Sequence, residues 1–264
     1  YQYLHKRFPH KKFGLADTRD KEHFSVEEKE ILFPARGMTF HLGEKYLESM
    51  EEYDVIIKSS GILPFLPEIE ETKKQGKMFL SQIEIFFEVC PGKIIGVTGT
   101  KGKSTTTSAI YNVLKSGHKT VRLAGIIGIP VLYTLTRATK DTIFVVELSS
   151  FQLMNLQVSP NISVVQNIVH EHGDYHGTFE KYVDAKANIA RFQKEEDVVI
   201  YNASYPIPKK IAEMSKGKKY AFSSSFVEGM NAFVHEDKVF VSFEGKRRAV
   251  LPIHDIPLRG EFNI

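Results

Sequence analysis

Residues 94–107 read Ile-Ile-Gly-Val-Thr-Gly-Thr-Lys-Gly-Lys-Ser-Thr-Thr-Thr: an apolar run, a glycine turn and the start of a helix. Such a segment can cradle phosphate. Gly99 and Gly102 let the backbone N–H groups around Thr100 and Lys101 converge on an anion, and a helix opening near Ser104 and Thr105 adds positive potential. Lys103 can neutralise terminal phosphates, and the Ser104 hydroxyl can reach Mg²⁺. The strict Gly-x-x-x-x-Gly-Lys-Ser spacing is not kept, because Val97 stands at the first glycine position and Gly99 follows two residues later. The apolar run before the turn and the helix after it weigh against a chance Gly-Lys-Ser turn.

A second polar group, Asp17-Thr18-Arg19, sits just past the strand-like run 13–16. Nucleotide folds commonly place a ribose or base reader there. Thr18 can donate and Arg19 can pair with phosphate; the local alternative is a capping turn ahead of a charged helix. Farther on, Phe179, Tyr182, Val183, Lys186, Ile189 and Ala190 recur at three- and four-residue steps along 178–193, which turns that face inward. An inward Lys186 is unusual, since a helical lysine is ordinarily a solvated charge.

The elements that would position these residues alternate. Strand-like runs at 13–16, 53–58, 94–98, 142–148, 162–168 and 198–201 are separated by helical stretches at 67–75, 82–89, 103–115, 178–193 and 206–216. That rhythm predicts parallel α/β units. After Tyr220, two alternating runs flank Glu236-Asp237 and predict a small β-hairpin. A boundary is expected near Cys90-Pro91-Gly92, giving a Rossmann-like domain over 1–90 and a P-loop ATPase domain with a parallel sheet over 91–264. The first domain reads as N-terminally incomplete: its amphipathic stretch 1–10 leads directly into strand 13–16, where a dinucleotide-type fold places a strand and glycine loop first.

Composition narrows the class. With 264 residues, 42% of them hydrophobic, the chain can bury one large or two ordinary cores. No apolar run approaches the roughly 20 residues of a membrane helix, and the opening Tyr-Gln-Tyr-Leu-His-Lys-Arg has no signal-peptide core. One cysteine, Cys90, fits a reducing cytosol and reads as a packing residue. Against 35 basic residues stand 32 acidic ones, and the short basic runs at 216–219 and 246–248 read as solvated turns. No basic stripe interleaved with aromatics suggests a nucleic-acid partner.

The variant Thr98-Gly99-Thr100-Lys101-Gly102-Lys103-Ser104-Thr105-Thr106-Thr107 resembles the phosphate loop of the Mur ligase family. So do Glu147-Leu148-Ser149-Ser150-Phe151-Gln152-Leu153, Asn167-Ile168 with His172-Gly173-Asp174-Tyr175-His176, Tyr182-Val183-Asp184-Ala185-Lys186 and Leu258-Arg259-Gly260-Glu261-Phe262-Asn263. The Glu147 run is most similar to that of D-glutamate-adding members. In the first domain, Asp17-Thr18-Arg19 and Ser59-Ser60-Gly61-Ile62 resemble elements that hold a UDP group.

The resemblance implies an ATP- and Mg²⁺-dependent, cytoplasmic, monomeric enzyme of peptidoglycan synthesis. It would join D-glutamate to UDP-N-acetylmuramoyl-L-alanine through an acyl phosphate. It further implies that Ser104 and Glu147 hold one Mg²⁺ and His172 a second, that Lys186 is carbamylated and balances the Mg²⁺ at His172, that His172 also meets substrate, and that Asn263 belongs to the nucleotide site. Asp17, Thr18, Arg19, Ser59 and Gly61 would meet the UDP substrate. Two positions depart from the family: Ile126 stands where an asparagine meets the muramoyl substrate, and Ser60 replaces a proline. The family's first strand and C-terminal domain are expected to lie outside the chain. Two other readings stay open, another ligase of the superfamily and a nucleotide-binding module without ligase activity.

Overall fold

The computed structural model describes residues 1–264 except 34–36, 60, 64, 118–119, 127–128, 172 and 257–264. The chain divides into two compact units, Tyr1–Ile85 and Phe86–Ile264.

In the first unit, α1 (Gln2–Arg7) precedes β1 (Phe13–Asp17), α2 (Val26–Leu32), β2 (Met38–Leu42), β3 (Val55–Lys58), α3 (Pro67–Lys74) and β4 (Met78–Ser81). Local chemistry sets the helix starts. The Ser25 hydroxyl accepts the Glu28 N–H at 3.1 Å while the Glu28 carboxylate accepts the Ser25 N–H at 2.8 Å, a reciprocal cap on α2. Pro67 opens α3, where its missing N–H costs nothing.

β1 pairs in parallel with β2, and β3 with β4, as two separate two-stranded sheets. A cavity of about 700 Å³ is lined by Phe13, Gly14 and Ala16 of β1 and by all four residues of β3. Successive strand side chains point to opposite faces, so a wall of consecutive residues is a strand edge rather than a face.

α4 (Gln82–Val89) carries the division between the units, a few residues before the boundary expected near Cys90. Phe86 decides its attachment to the second unit, because its ring meets Phe144 edge-on at 5.3 Å and is fully buried. Then come β5 (Lys93–Thr98), α5 (Lys103–Gly117), β6 (Val121–Ala124), β7 (Ile143–Glu147), α6 (Ser150–Leu153), β8 (Ile162–Val165), α7 (Gly173–His176), α8 (Phe179–Arg191), β9 (Val198–Asn202), α9 (Pro206–Glu213) and β10 (Lys218–Ser223). β11 (Ala232–His235), β12 (Lys238–Phe243) and β13 (Lys246–Pro252) follow.

All nine strands form one sheet in the order β13-β12-β11-β10-β9-β8-β5-β7-β6, parallel from β6 to β11 and antiparallel beyond. Ile95, Val97, Val121, Val145 and Val164 make its buried centre, the unbroken apolar texture of strands covered on both faces. Glu236 and Asp237, both at positive φ, turn the expected hairpin. The basic run 246–248 is not a turn: it opens edge strand β13, and Lys218-Lys219 likewise open β10.

The end of α8 is tied to the sheet by Gln193. Its amide nitrogen donates to the Pro160 carbonyl at 3.0 Å, the Ser163 hydroxyl at 3.0 Å and the Val198 carbonyl at 2.8 Å, and its oxygen accepts from Ser215 at 2.7 Å. Removing one member leaves buried partners unmet, at about 1–3 kcal/mol each. Gln193→Ala is expected to lower the unfolding free energy by about 2–4 kcal/mol, read by urea denaturation. A loss below about 0.5 kcal/mol, the ordinary range of a surface change, would show the network idle.

Candidate active site

The loop between β5 and α5 is tied down mainly through Thr100. The Thr100 N–H donates to the Asn167 carbonyl at 2.8 Å. Its hydroxyl lies 3.1 Å from the Val169 carbonyl, accepts the Val169 N–H at 3.0 Å and lies 2.9 Å from the Tyr182 hydroxyl. Gly99 has to be glycine, since a Cβ there would stand 2.6 Å from the Gln166 Cβ. Gly102 takes φ +79°, the left-handed turn that lets α5 begin. Lys103 folds back to donate to the Thr100 carbonyl at 2.9 Å, and Ser104 is exposed at the first turn of α5. The Thr100 N–H, expected to face an anion, is thus turned to the protein, while the glycine turn, the start of α5 and the Lys103 ammonium are the parts from which an anion site is built.

Glu147 ends β7 beside Val97 of β5. Its Oε2 is buried without a hydrogen-bond partner, as is the Oδ1 of Asn167, which follows β8 on the other side of β5. A buried carboxylate oxygen with no donor is costly, and carboxylate oxygen is the donor type Mg²⁺ prefers. The residues fit such a cation. Lys101 pairs with Glu171 at 3.1 Å across the mouth of the loop.

Lys186 points inward from α8, only 1% exposed, and donates to the Gly99 carbonyl at 2.9 Å over the face of Tyr182. Burial first, and then the Lys103 ammonium, push its pKa down to about 7, against the opposing pull of Glu171 and Glu147. A large fraction is therefore neutral amine near physiological pH.

In the first unit the Arg19 guanidinium is engaged by its own neighbours. Its Nε and one terminal nitrogen each donate to Asp17 at 3.1 Å, the other donates to Glu28 at 3.1 Å, and the group stacks 4.1 Å over Phe24. Those bonds hold the Asp17 carboxyl below its usual range. Thr18, Ser59 and Gly61 are exposed; Lys58 donates to the Ser59 carbonyl at 3.3 Å and the Ile62 carbonyl at 2.7 Å.

Residues 97–264 match the Mur ligase middle domain. The chain belongs to the Mur ligase family.

Among relatives of the family, the UDP-N-acetylmuramoylalanine–D-glutamate ligase of Acetivibrio thermocellus is 36% identical over 241 residues, covering 90% of this chain and 52% of that protein. The enzyme of the same name from Koribacter versatilis is 35% identical, covering 96% and 56%. The chain thus spans about half the length of these curated relatives. In fold it is similar to the UDP-N-acetylmuramate:L-alanyl-gamma-D-glutamyl-meso-diaminopimelate ligase of Neisseria meningitides, with TM-score 0.61, 15% identity, and 94% and 80% of the two chains covered. It is also similar to the MurF ligase of Thermotoga maritima solved with ADP, at TM-score 0.50 and 16% identity, covering 92% and 56%.

Of the Mur-type residues expected from sequence, Gly99, Thr100, Lys101, Gly102, Lys103, Ser104 and Thr105 form the loop and first turn of α5, and Lys186 is bonded to that loop. Glu147 closes the adjoining strand. His172 and Asn263 lie outside the described residues. Asp17, Thr18, Arg19, Ser59 and Gly61 all belong to the first unit. Sequence reasoning quoted Asn167 within a motif without giving it a role. It also did not see that Thr100 holds the loop down, a part that no local pattern marks because its partners lie about seventy to eighty residues away.

The buried amine has a signature in stability. The Lys186 pKa is about 7 folded, against 10.5 unfolded. Between those values the unfolded chain holds a proton the folded chain has lost, so stability rises with pH. From pH 7 to 8.5 the gain from this group is about 1.5 kcal/mol. Lys186→Met should remove that gain while leaving the rest of the pH profile, as measured by urea titration at both pH values; an unchanged profile would place the amine in water.

Proposed function

We propose that this chain forms the UDP-substrate and ATP portions of a ligase that joins D-glutamate to UDP-N-acetylmuramoyl-L-alanine, in the cytoplasm and as a monomer. The observation that carries the reading is the placement in the second unit of the phosphate loop, the unmet Glu147 oxygen and a buried Lys186 bonded to that loop. The identity of the named relatives, with the Glu147-Leu148-Ser149-Ser150-Phe151-Gln152-Leu153 run, supports the D-glutamate-adding branch over its sisters.

The chemistry sets an electrostatic problem, because a carboxylate has to approach a triphosphate. Loop N–H groups and Lys103 take the phosphate charge, and the γ-phosphoryl group passes to the alanyl carboxylate, releasing ADP. The D-glutamate amine then attacks the acyl phosphate carbonyl, forming the amide, losing a proton and expelling inorganic phosphate. Ser104 and Glu147 would hold one Mg²⁺ and His172 a second, which would neutralise charge between the two anions. Lys186 as neutral amine attacks CO₂, forming a C–N bond and releasing a proton; the resulting carbamate is an anion on a long arm suited to the cation at His172. In the first unit, Asp17, Thr18, Ser59 and Gly61 would meet the UDP group, with Arg19 positioned by Asp17 and Glu28.

In a polypeptide extended to the length of its relatives, ADP release should require UDP-N-acetylmuramoyl-L-alanine and D-glutamate together. Lys103→Ala and Lys186→Ala should each cut it about a hundredfold or more, as does loss of a single charge-stabilising donor. The ¹³CO₂ carbamate signal should vanish with Lys186→Ala, and short carboxylic acids should restore part of that variant's rate. Preference for L-alanine or a diamino acid would overturn the substrate assignment, and a carbamate signal surviving the substitution would overturn the role of Lys186.

A further inference from the structure

Among the described residues, two buried side-chain oxygens have no hydrogen-bond partner: Glu147 Oε2 and Asn167 Oδ1. Native interiors rarely leave such atoms unmet. Their places in the sheet are related. β5 lies between β7 and β8, pairing Val97 with Glu147 on one side and Thr98 with Val165 on the other. Glu147 is the last residue of β7, and Asn167 follows the end of β8 by two residues. The phosphate loop leaves β5 between them.

Asn167 does not reach this place by accident of a loose loop. Its carbonyl accepts the Thr100 N–H at 2.8 Å, and two residues later the Val169 N–H donates to the Thr100 hydroxyl at 3.0 Å. Just before it, the Gln166 N–H donates to the Thr98 carbonyl at 2.9 Å and the Gln166 side chain donates to Thr106 of α5 at 2.8 Å. Its backbone is thus clamped to the loop on both sides while its carboxamide oxygen is left without a donor. A glutamate oxygen left unmet on one side of a phosphate loop is answered by a cation. A neutral amide oxygen on the other side is suited to accept a hydrogen bond from that cation's water.

We infer that Asn167 is a positioning residue for the cation–phosphate group: its Oδ1 accepts a hydrogen bond from a water in the shell of the divalent ion held from the Glu147 side. The inference rests on the phosphate-site reading and adds a specificity to it, since the amide acts on the metal-bound form of the phosphate and leaves the phosphate itself to the loop.

The test uses the chain as it stands, with inorganic tripolyphosphate as the probe, titrated by calorimetry with and without Mg²⁺. Asn167→Ala should lose about tenfold in affinity for Mg²⁺-tripolyphosphate, the cost typical of removing an outer partner of a metal site. Its affinity for metal-free tripolyphosphate and its thermal midpoint without ligand should not fall, because the Oδ1 that is lost has no partner in the protein alone. Asn167→Asp, which keeps an acceptor, should restore the Mg²⁺-dependent part. Equal losses with and without Mg²⁺, or a lower midpoint for Asn167→Ala, would mark a structural role and overturn the inference. An aspartate weaker than the alanine in Mg²⁺ would show that the amide donates to phosphate, and would overturn it too. Failure of the unsubstituted chain to bind tripolyphosphate in either condition would overturn the phosphate-site reading itself.

Discussion

The second unit depends on how one threonine is bonded. Thr100 receives or gives hydrogen bonds on its amide and its hydroxyl to Asn167, Val169 and Tyr182. A phosphate loop needs its N–H groups aimed at a ligand, so few of them can be spent on the protein. Fastening the loop through the amide and hydroxyl of Thr100, and through Lys186 on the Gly99 carbonyl, draws on one loop N–H group among the described contacts. It also joins three elements, since the loop after β5, the segment after β8 and α8 all meet at that hydroxyl.

The electrostatics follow from that fastening. With the loop fixed, Gly99 presents its carbonyl to Lys186 and Thr100 presents its carbonyl to Lys103, which brings two ammonium groups toward one site. The buried one yields. Desolvation and the neighbouring cation together make its neutral form competitive, whereas an exposed lysine would keep its proton. The same low-dielectric setting raises the cost of the unmet oxygens of Glu147 and Asn167. Stability is given up at the point where a charged ligand and its counter-ion would restore it, a common pattern at functional sites.

How far the sequence foretells this differs by element. The phosphate loop was legible because glycine, lysine and serine at that spacing serve few other purposes, and α8 because its apolar steps are long enough to count. The hairpin was legible from Glu236-Asp237 between alternating runs. β2, β4 and β6 were not: β4 and β6 are only four residues long, and β2, although Met38-Thr39-Phe40-His41-Leu42 alternates, is only five. The basic residues that open β13 read as a turn because an edge strand carries charge where an inner one carries valine. Phe86, with which the second unit begins inside α4, looks from sequence like any other aromatic on that helix.

Amide shifts of the ¹⁵N-labelled chain titrated with Mg²⁺-ATP bear most directly on the claim that the second unit is a phosphate site fastened through Thr100. The largest saturable shifts should fall on Gly99, Thr100, Lys101, Gly102, Lys103 and Ser104, with Glu147 and Asn167 following, while Asp17, Thr18 and Arg19 stay in place. Thr100→Val should abolish the response without unfolding the sheet. Shifts confined to the first unit, or a full response in Thr100→Val, would contradict it.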